Sequence, residues 1–198
     1  MSNNENQPGD ASQVAAELAA ALDSRGCEYA VGGAIALGFS AEPRGTLDDD
    51  VTLYFAENAV QSCLELLADI GCQFDEKAAQ TLLNEHAYCQ AIFGGRRIDV
   101  FLPTIPLYEA AFLRRCKIEI SGQPIKIWDA ETLCVFKLMF FRRKDIADVE
   151  QILKHQAEKL DRDWITKKIT DIYEKRDPRV SQWKELEDEF LQWARNER

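Results

Sequence analysis

Three aspartates in a row, Asp48-Asp49-Asp50, open an apolar run, and Asp99 sits inside a second one, Arg97-Ile98-Asp99-Val100. Strand side chains alternate between faces, so Asp48 and Asp50 share one face while Asp49 turns to the other with Val51 and Leu53. Asp99 faces away from Ile98 and Val100, and on a neighbouring strand it can meet the first pair. Converging carboxylates are expensive unless positive charge lies among them. Oxygen donors of this kind suit Mg2+ or Mn2+. Two such ions about 4 Å apart activate an attacking hydroxyl and stabilise a leaving pyrophosphate. Asp99 would then also accept the hydroxyl's proton.

Gly32-Gly33 lies upstream, between the apolar residues 27–31 and the apolar residues 34–39. Glycines at a strand-to-helix junction let the backbone approach a phosphate and aim amide groups at it. Arg44 follows, placed either to bind phosphate or to restrain the carboxylates. Taken singly, an Asp-x-Asp is often a polar turn and a Gly-Gly is more often only a turn. Their order, with Arg44, Thr46 and Asp99, is what carries the signal.

The elements that must position these groups are legible in outline. Residues 12–25 show helical spacing, with Val14, Leu18, Ala21 and Leu22 on one face, Ser12 as cap and Gly26 as stop. Residues 27–31 and 50–55 read as strands and 59–70 as a helix closed by Gly71. Residues 87–93 and 97–102 flank Gly94-Gly95 as a hairpin, and 116–120 with 124–128 form a second around Ser121-Gly122. Pro103 and Pro106 end the first hairpin unit. From residue 130 the pattern is helical throughout. The expected fold is α+β, a mixed sheet flanked by helices over residues 12–128 and a helical layer over 129–198, after a disordered tail at 1–11.

Composition narrows the class of function. Residues 1–105 hold 5 Lys+Arg against 16 Asp+Glu, net −11, and residues 106–198 hold 19 against 18, net +1. The acidic first half disfavours a large nucleic-acid partner. No apolar run approaches the length of a membrane span, and residues 1–10 lack a signal peptide's basic end and apolar centre, so a cytoplasmic location is expected. The six cysteines are scattered and read as reduced, mostly buried thiols. Neither His86 nor His155 stands at ligand spacing from one, so no zinc site is expected. The four tryptophans read as packing.

The ordered set Tyr29-Ala-Val-Gly-Gly-Ala, Arg44-Gly-Thr-Leu-Asp-Asp-Asp-Val and Arg97-Ile-Asp-Val resembles the nucleotidyltransferase superfamily related to DNA polymerase β. The likeness continues through Phe136-Lys137-Leu138 and Arg142-Arg-Lys-Asp-Ile-Ala-Asp148. It implies transfer of an NMP from an NTP, ATP first among them, to an acceptor hydroxyl on a small molecule, protein or RNA. Asp48, Asp50 and Asp99 would be the catalytic carboxylates and bind two Mg2+ or Mn2+ ions. Gly32, Gly33, Arg44, Thr46, Lys137, Arg142 and Lys144 would bind the nucleotide. Ala34, where many members carry a hydroxyl, resembles the branch of antibiotic and toxin-type nucleotidyltransferases. Asp49 occupies a position that is usually apolar. The alternative is a non-catalytic nucleotide-binding or partner-binding protein on the same fold, such as a toxin–antitoxin component.

Overall fold

A computed structural model of the chain describes residues 10–43, 45 and 48–196. Arg44 and Thr46 lie outside the described residues. Helix α1 (Ala11–Ser24) buries Val14, Leu18 and Leu22 along one stripe. Its cap is Asp10 rather than Ser12: the Asp10 carboxylate accepts from the Ser12 amide at 3.3 Å. Two residues earlier in the chain, Asp10 can reach an amide that has no intrahelical partner.

Strands β1 (Glu28–Val31), β2 (Asp48–Tyr54), β3 (Tyr88–Phe93), β4 (Arg96–Phe101), β5 (Cys116–Ile120) and β6 (Gln123–Ile127) form one mixed sheet in the order β3-β4-β2-β1-β6-β5. β2 runs antiparallel to β1 and parallel to β4, and β1 runs parallel to β6. β2 therefore lies inside the sheet, with Val51, Thr52 and Leu53 buried. On one face of β2 and β4, Asp49, Val51, Leu53, Ile98 and Val100 are closed from solvent, while Asp48, Asp50, Arg97 and Asp99 on the other stay accessible. The strand pattern thus separates a core face from a polar one.

Helix α2 (Gly33–Ser40) leaves β1 directly, and α3 (Ala59–Asp69) follows β2. Two helices were not foreseen. α4 (Glu76–His86) buries only Ala79 and Leu83 and is started by Asp75, whose side chain accepts from the Ala78 amide at 2.9 Å. So thin an apolar stripe gives a weak periodic signal. α5 (Leu107–Arg114) begins just after Pro106, a residue that ends one element and, lacking an N–H, readily precedes the next.

Contacts divide the chain into two units. The first takes residues up to 35 and 45–128, and the second takes 36–44 and 129 onward. Within the second, α6 (Ala130–Phe140), α7 (Arg143–Gln156), α8 (Arg162–Ile172) and α9 (Pro178–Asn196) share a core of Leu133, Leu138, Val149, Ile152, Ile165, Ile169 and Trp183. Trp183 is wholly buried there, and its indole N–H donates to Thr166 Oγ1 at 2.7 Å.

None of the six cysteines is in a disulfide; four of them are buried and Cys116 is exposed. No described helix is long and apolar enough to cross a membrane.

Candidate active site

Parallel pairing of β2 with β4 sets Asp50 opposite Asp99 and Asp48 opposite Arg97. Because both strands alternate in step, Asp48, Asp50, Arg97 and Asp99 rise from one face. The turn after β1 closes over this face. Gly32 donates its amide to the Asp50 carbonyl at 2.9 Å, which extends the β1–β2 pairing by one residue. Gly33 has φ +55, and a Cβ there would fall on the Asp50 carboxylate. Only glycine permits this close approach.

The two glycines therefore have different jobs. The Gly32 N–H is already engaged with Asp50, so it is not among the amides that open α2, which starts at Gly33. Gly32 is needed for its missing side chain, because a Cβ would stand 2.8 Å from the Trp128 ring. Trp128 follows β6, and its amide donates to the Val31 carbonyl at 3.1 Å. The indole thus lies against the turn as its floor, a position that the sequence pattern did not distinguish from ordinary packing.

The carboxylates are held by neighbours that sequence reasoning missed. Arg97 Nη2 forms an ion pair with Asp48, and Arg97 Nε lies 3.8 Å from Asp99. Asp99 Oδ1 also accepts from Gln90 Nε2 at 2.9 Å and from the Tyr88 hydroxyl at 3.2 Å. Burial first, and the Asp99 charge after it, push the Tyr88 phenol up to about 12, so it remains a donor at neutral pH. The signal for these residues was present. A two-residue turn at Gly94-Gly95 fixes the hairpin register that sets Gln90 against Asp99.

Among the described residues no three His, Cys, Asp or Glu side chains are gathered, as they stand, into a group that could hold a metal ion. The backbone register brings Asp48, Asp50 and Asp99 together, but the Asp48 carboxylate meets Arg97 and the Asp99 carboxylate meets Gln90 and Tyr88, with Arg97 nearby. Like charges do not converge by themselves, so each takes the nearest donor or cation.

Asp49 points to the opposite face, as strand parity requires. It is 2% exposed and pairs with Arg96, which is also buried, Nε to Oδ2 at 3.1 Å. Burial raises the Asp49 carboxyl, and the Arg96 hydrogen bond and charge oppose that rise. The third negative charge of the run is thus compensated inside the core, away from Asp48 and Asp50.

The remaining predicted residues lie in the second unit. Lys137 on α6 is 5% exposed. Its ammonium donates to Asp148 Oδ2 at 2.5 Å and stands 3.6 Å from Asp145 Oδ1. Arg142 forks onto Asp145, with Nε to Oδ2 at 2.6 Å and Nη2 to Oδ1 at 3.1 Å, while its backbone amide closes the capping box of α7. Asp145 and Asp148, three residues apart on one helix face, thereby tie α7 to α6 through Lys137. Lys144 is exposed.

A family profile described as a nucleotidyl transferase of unknown function (DUF2204) matches residues 11–183. The chain belongs to that nucleotidyltransferase family. No curated protein matches it in sequence. Solved structures share its fold. An antigenic nucleotidyltransferase-like protein from Paracoccidioides brasiliensis is 18% identical, over 87% of this chain and 91% of that one, with a TM-score of 0.52. ANT(2'')-Ia, solved in complex with adenylyl-2''-tobramycin, is 16% identical, over 82% and 98%, with a TM-score of 0.55. A solution structure of the same antibiotic-resistance factor gives 14%, 96% and 97%, and 0.50. This nucleotidyltransferase is accordingly an enzyme that takes a nucleoside triphosphate and an acceptor. Nucleotidyltransferases in general use divalent metals.

Proposed function

We propose that this transferase moves an NMP unit, AMP first among them, from the triphosphate to a hydroxyl of a small acceptor molecule, with release of pyrophosphate. The observation that carries the reading is the pairing of Asp50 with Asp99 beneath the Gly33 turn, with Asp48 on the same face. Three carboxylates on adjacent strand positions are a hard-oxygen donor set that fits Mg2+ or Mn2+. The Gly33 turn, with no room for a Cβ, brings the start of α2 up against the Asp50 carboxylate. Asp48, Asp50 and Asp99 would hold the metal, which when bound neutralises the phosphates and makes the acceptor hydroxyl more acidic.

The chain's own residues do the rest. The first amides of α2 would orient the triphosphate through the N-terminal end of the helix. Asp99, kept in one rotamer by Gln90 and Tyr88, would take the acceptor's proton. Arg44 and Thr46 remain proposed as nucleotide ligands. Lys137 and Arg142 act in this reading through the α6–α7 junction that they lock, and Lys144 is proposed at the surface of α7.

Two considerations favour a small acceptor. The first half of the chain carries net −11, which repels a polyanion. The fold is shared with ANT(2'')-Ia, whose complex holds an adenylylated aminoglycoside. The test is incubation with labelled ATP, Mg2+ and a small-molecule extract, followed by chromatography. Label is expected in a low-mass product from the wild type and in none from the Asp48→Asn/Asp50→Asn double variant. Label that persists in the double variant overturns the assignment.

A further inference from the structure

We infer that Arg97 is the internal counterion of the carboxylate face, occupying charge space that the divalent cation takes over on binding. This rests on the proposed metal-holding role of Asp48, Asp50 and Asp99. Register alone places Arg97 directly opposite Asp48, and strand parity puts it two residues from Asp99 on the same face. Its guanidinium pairs with Asp48 and stands 3.8 Å from Asp99, so it joins carboxylates on two strands. Register brings three carboxylates together, and Arg97 places its guanidinium against two of them.

The residue is built to leave. The Arg97 side chain is 48% exposed, whereas Arg96 next to it is 9% exposed and fixed on Asp49. A solvent-accessible ion pair is weak and readily exchanged. A monovalent guanidinium and a divalent cation would also repel each other across the few ångströms between Asp48 and Asp99. Binding the metal therefore requires Arg97 to release Asp48. Without Arg97 like charges would lie side by side with less compensation, a cost that cation binding relieves. Arg97 thus competes with the cation for Asp48 and lowers metal affinity.

The experiment is calorimetric titration of the full chain with Mn2+ in the absence of nucleotide, so that turnover plays no part. Arg97→Met is expected to bind Mn2+ roughly tenfold more tightly than wild type. Arg97→Lys, which keeps the charge, is expected to stay near wild type. Asp50→Asn is expected to lose the binding. Thermal melts establish that each variant is folded, and Arg97→Gln replaces Arg97→Met if that variant is not. Equal or weaker Mn2+ binding by the neutral variant, with binding still lost in Asp50→Asn, overturns the exchange and leaves the proposed site standing. Mn2+ binding that ignores Asp50 overturns both.

Discussion

Gly33 and Asp50 share a single volume: the glycine Cα faces the aspartate so closely that a Cβ would fall on the carboxylate. The backbone there also has φ +55, a conformation that L side chains rarely adopt. Gly33→Ala is therefore expected to cost about 1–2 kcal/mol for the left-handed backbone. The displaced carboxylate adds about 1–3 kcal/mol of overpacking. Urea unfolding measures the sum. Activity should fall further than stability explains, because Asp50 is the group that moves. Full activity in Gly33→Ala would show that the turn does not set the position of that carboxylate.

Asp48 and Asp50 stay accessible on the polar face of β2, whereas Asp49 between them is buried. Removing the two accessible charges is expected to leave the fold intact and to lower nucleotide transfer by roughly a thousandfold. Pyrophosphate release with ATP and Mg2+ checks the rate, and a thermal melt within a few degrees of wild type checks the fold. Loss of activity together with loss of folding would mean that these carboxylates are structural.

Lys137 has both of its carboxylate partners in the interior of the second unit. Lys137→Met removes the charge between two buried acids and is expected to destabilise the protein by about 3–5 kcal/mol. Asp148→Asn should lose part of the same energy, and the double variant less than the sum of the two. Denaturant titrations of the three proteins form the cycle. A stable Lys137→Met protein with weakened ATP binding would instead make the lysine a nucleotide ligand.

Glu28 at the start of β1 accepts from Arg115 at 2.8 Å, with Lys126 at 3.7 Å. The Arg115 hydrogen bond is the largest influence, and together with Lys126 it outweighs burial and holds the carboxyl below its ordinary 4.5. A depressed carboxyl stabilises the fold above its unfolded pKa and loses that contribution as pH falls through the folded one. Half of the side chain is exposed, so Glu28→Gln should cost less than about 1 kcal/mol at pH 7. The difference should shrink steadily below pH 4.5. A difference that persists unchanged into acid would mean that packing, rather than charge, explains it.

Much of the sheet was legible because it rests on period-two alternation and on turns with few options. Gly94-Gly95 and Ser121-Gly122 fall at the two hairpin turns, and parity separated Asp49 from its neighbours. α4 and α5 escaped because α4 is mostly polar outside Ala79 and Leu83, and α5 is short and opens after a proline. For the candidate site, the sequence held the order of glycines and carboxylates and the face that each carboxylate takes. It could not show which nitrogen would meet which oxygen.

That second layer belongs to the tertiary structure. Alternation is a property of one strand and needs no partner, so the sequence by itself determined that Asp48 and Asp50 share a face. Pairing across strands is non-local: β2 lies beside β4 only after some forty residues have folded between them. Only then does Asp50 face Asp99, does Arg97 reach Asp48, and does Arg96 enter the core to neutralise Asp49. The same holds for Lys137, whose type and motif suggested a phosphate ligand while its surroundings supplied two buried carboxylates. Residue types set what charges exist; the fold decides which of them are already paired.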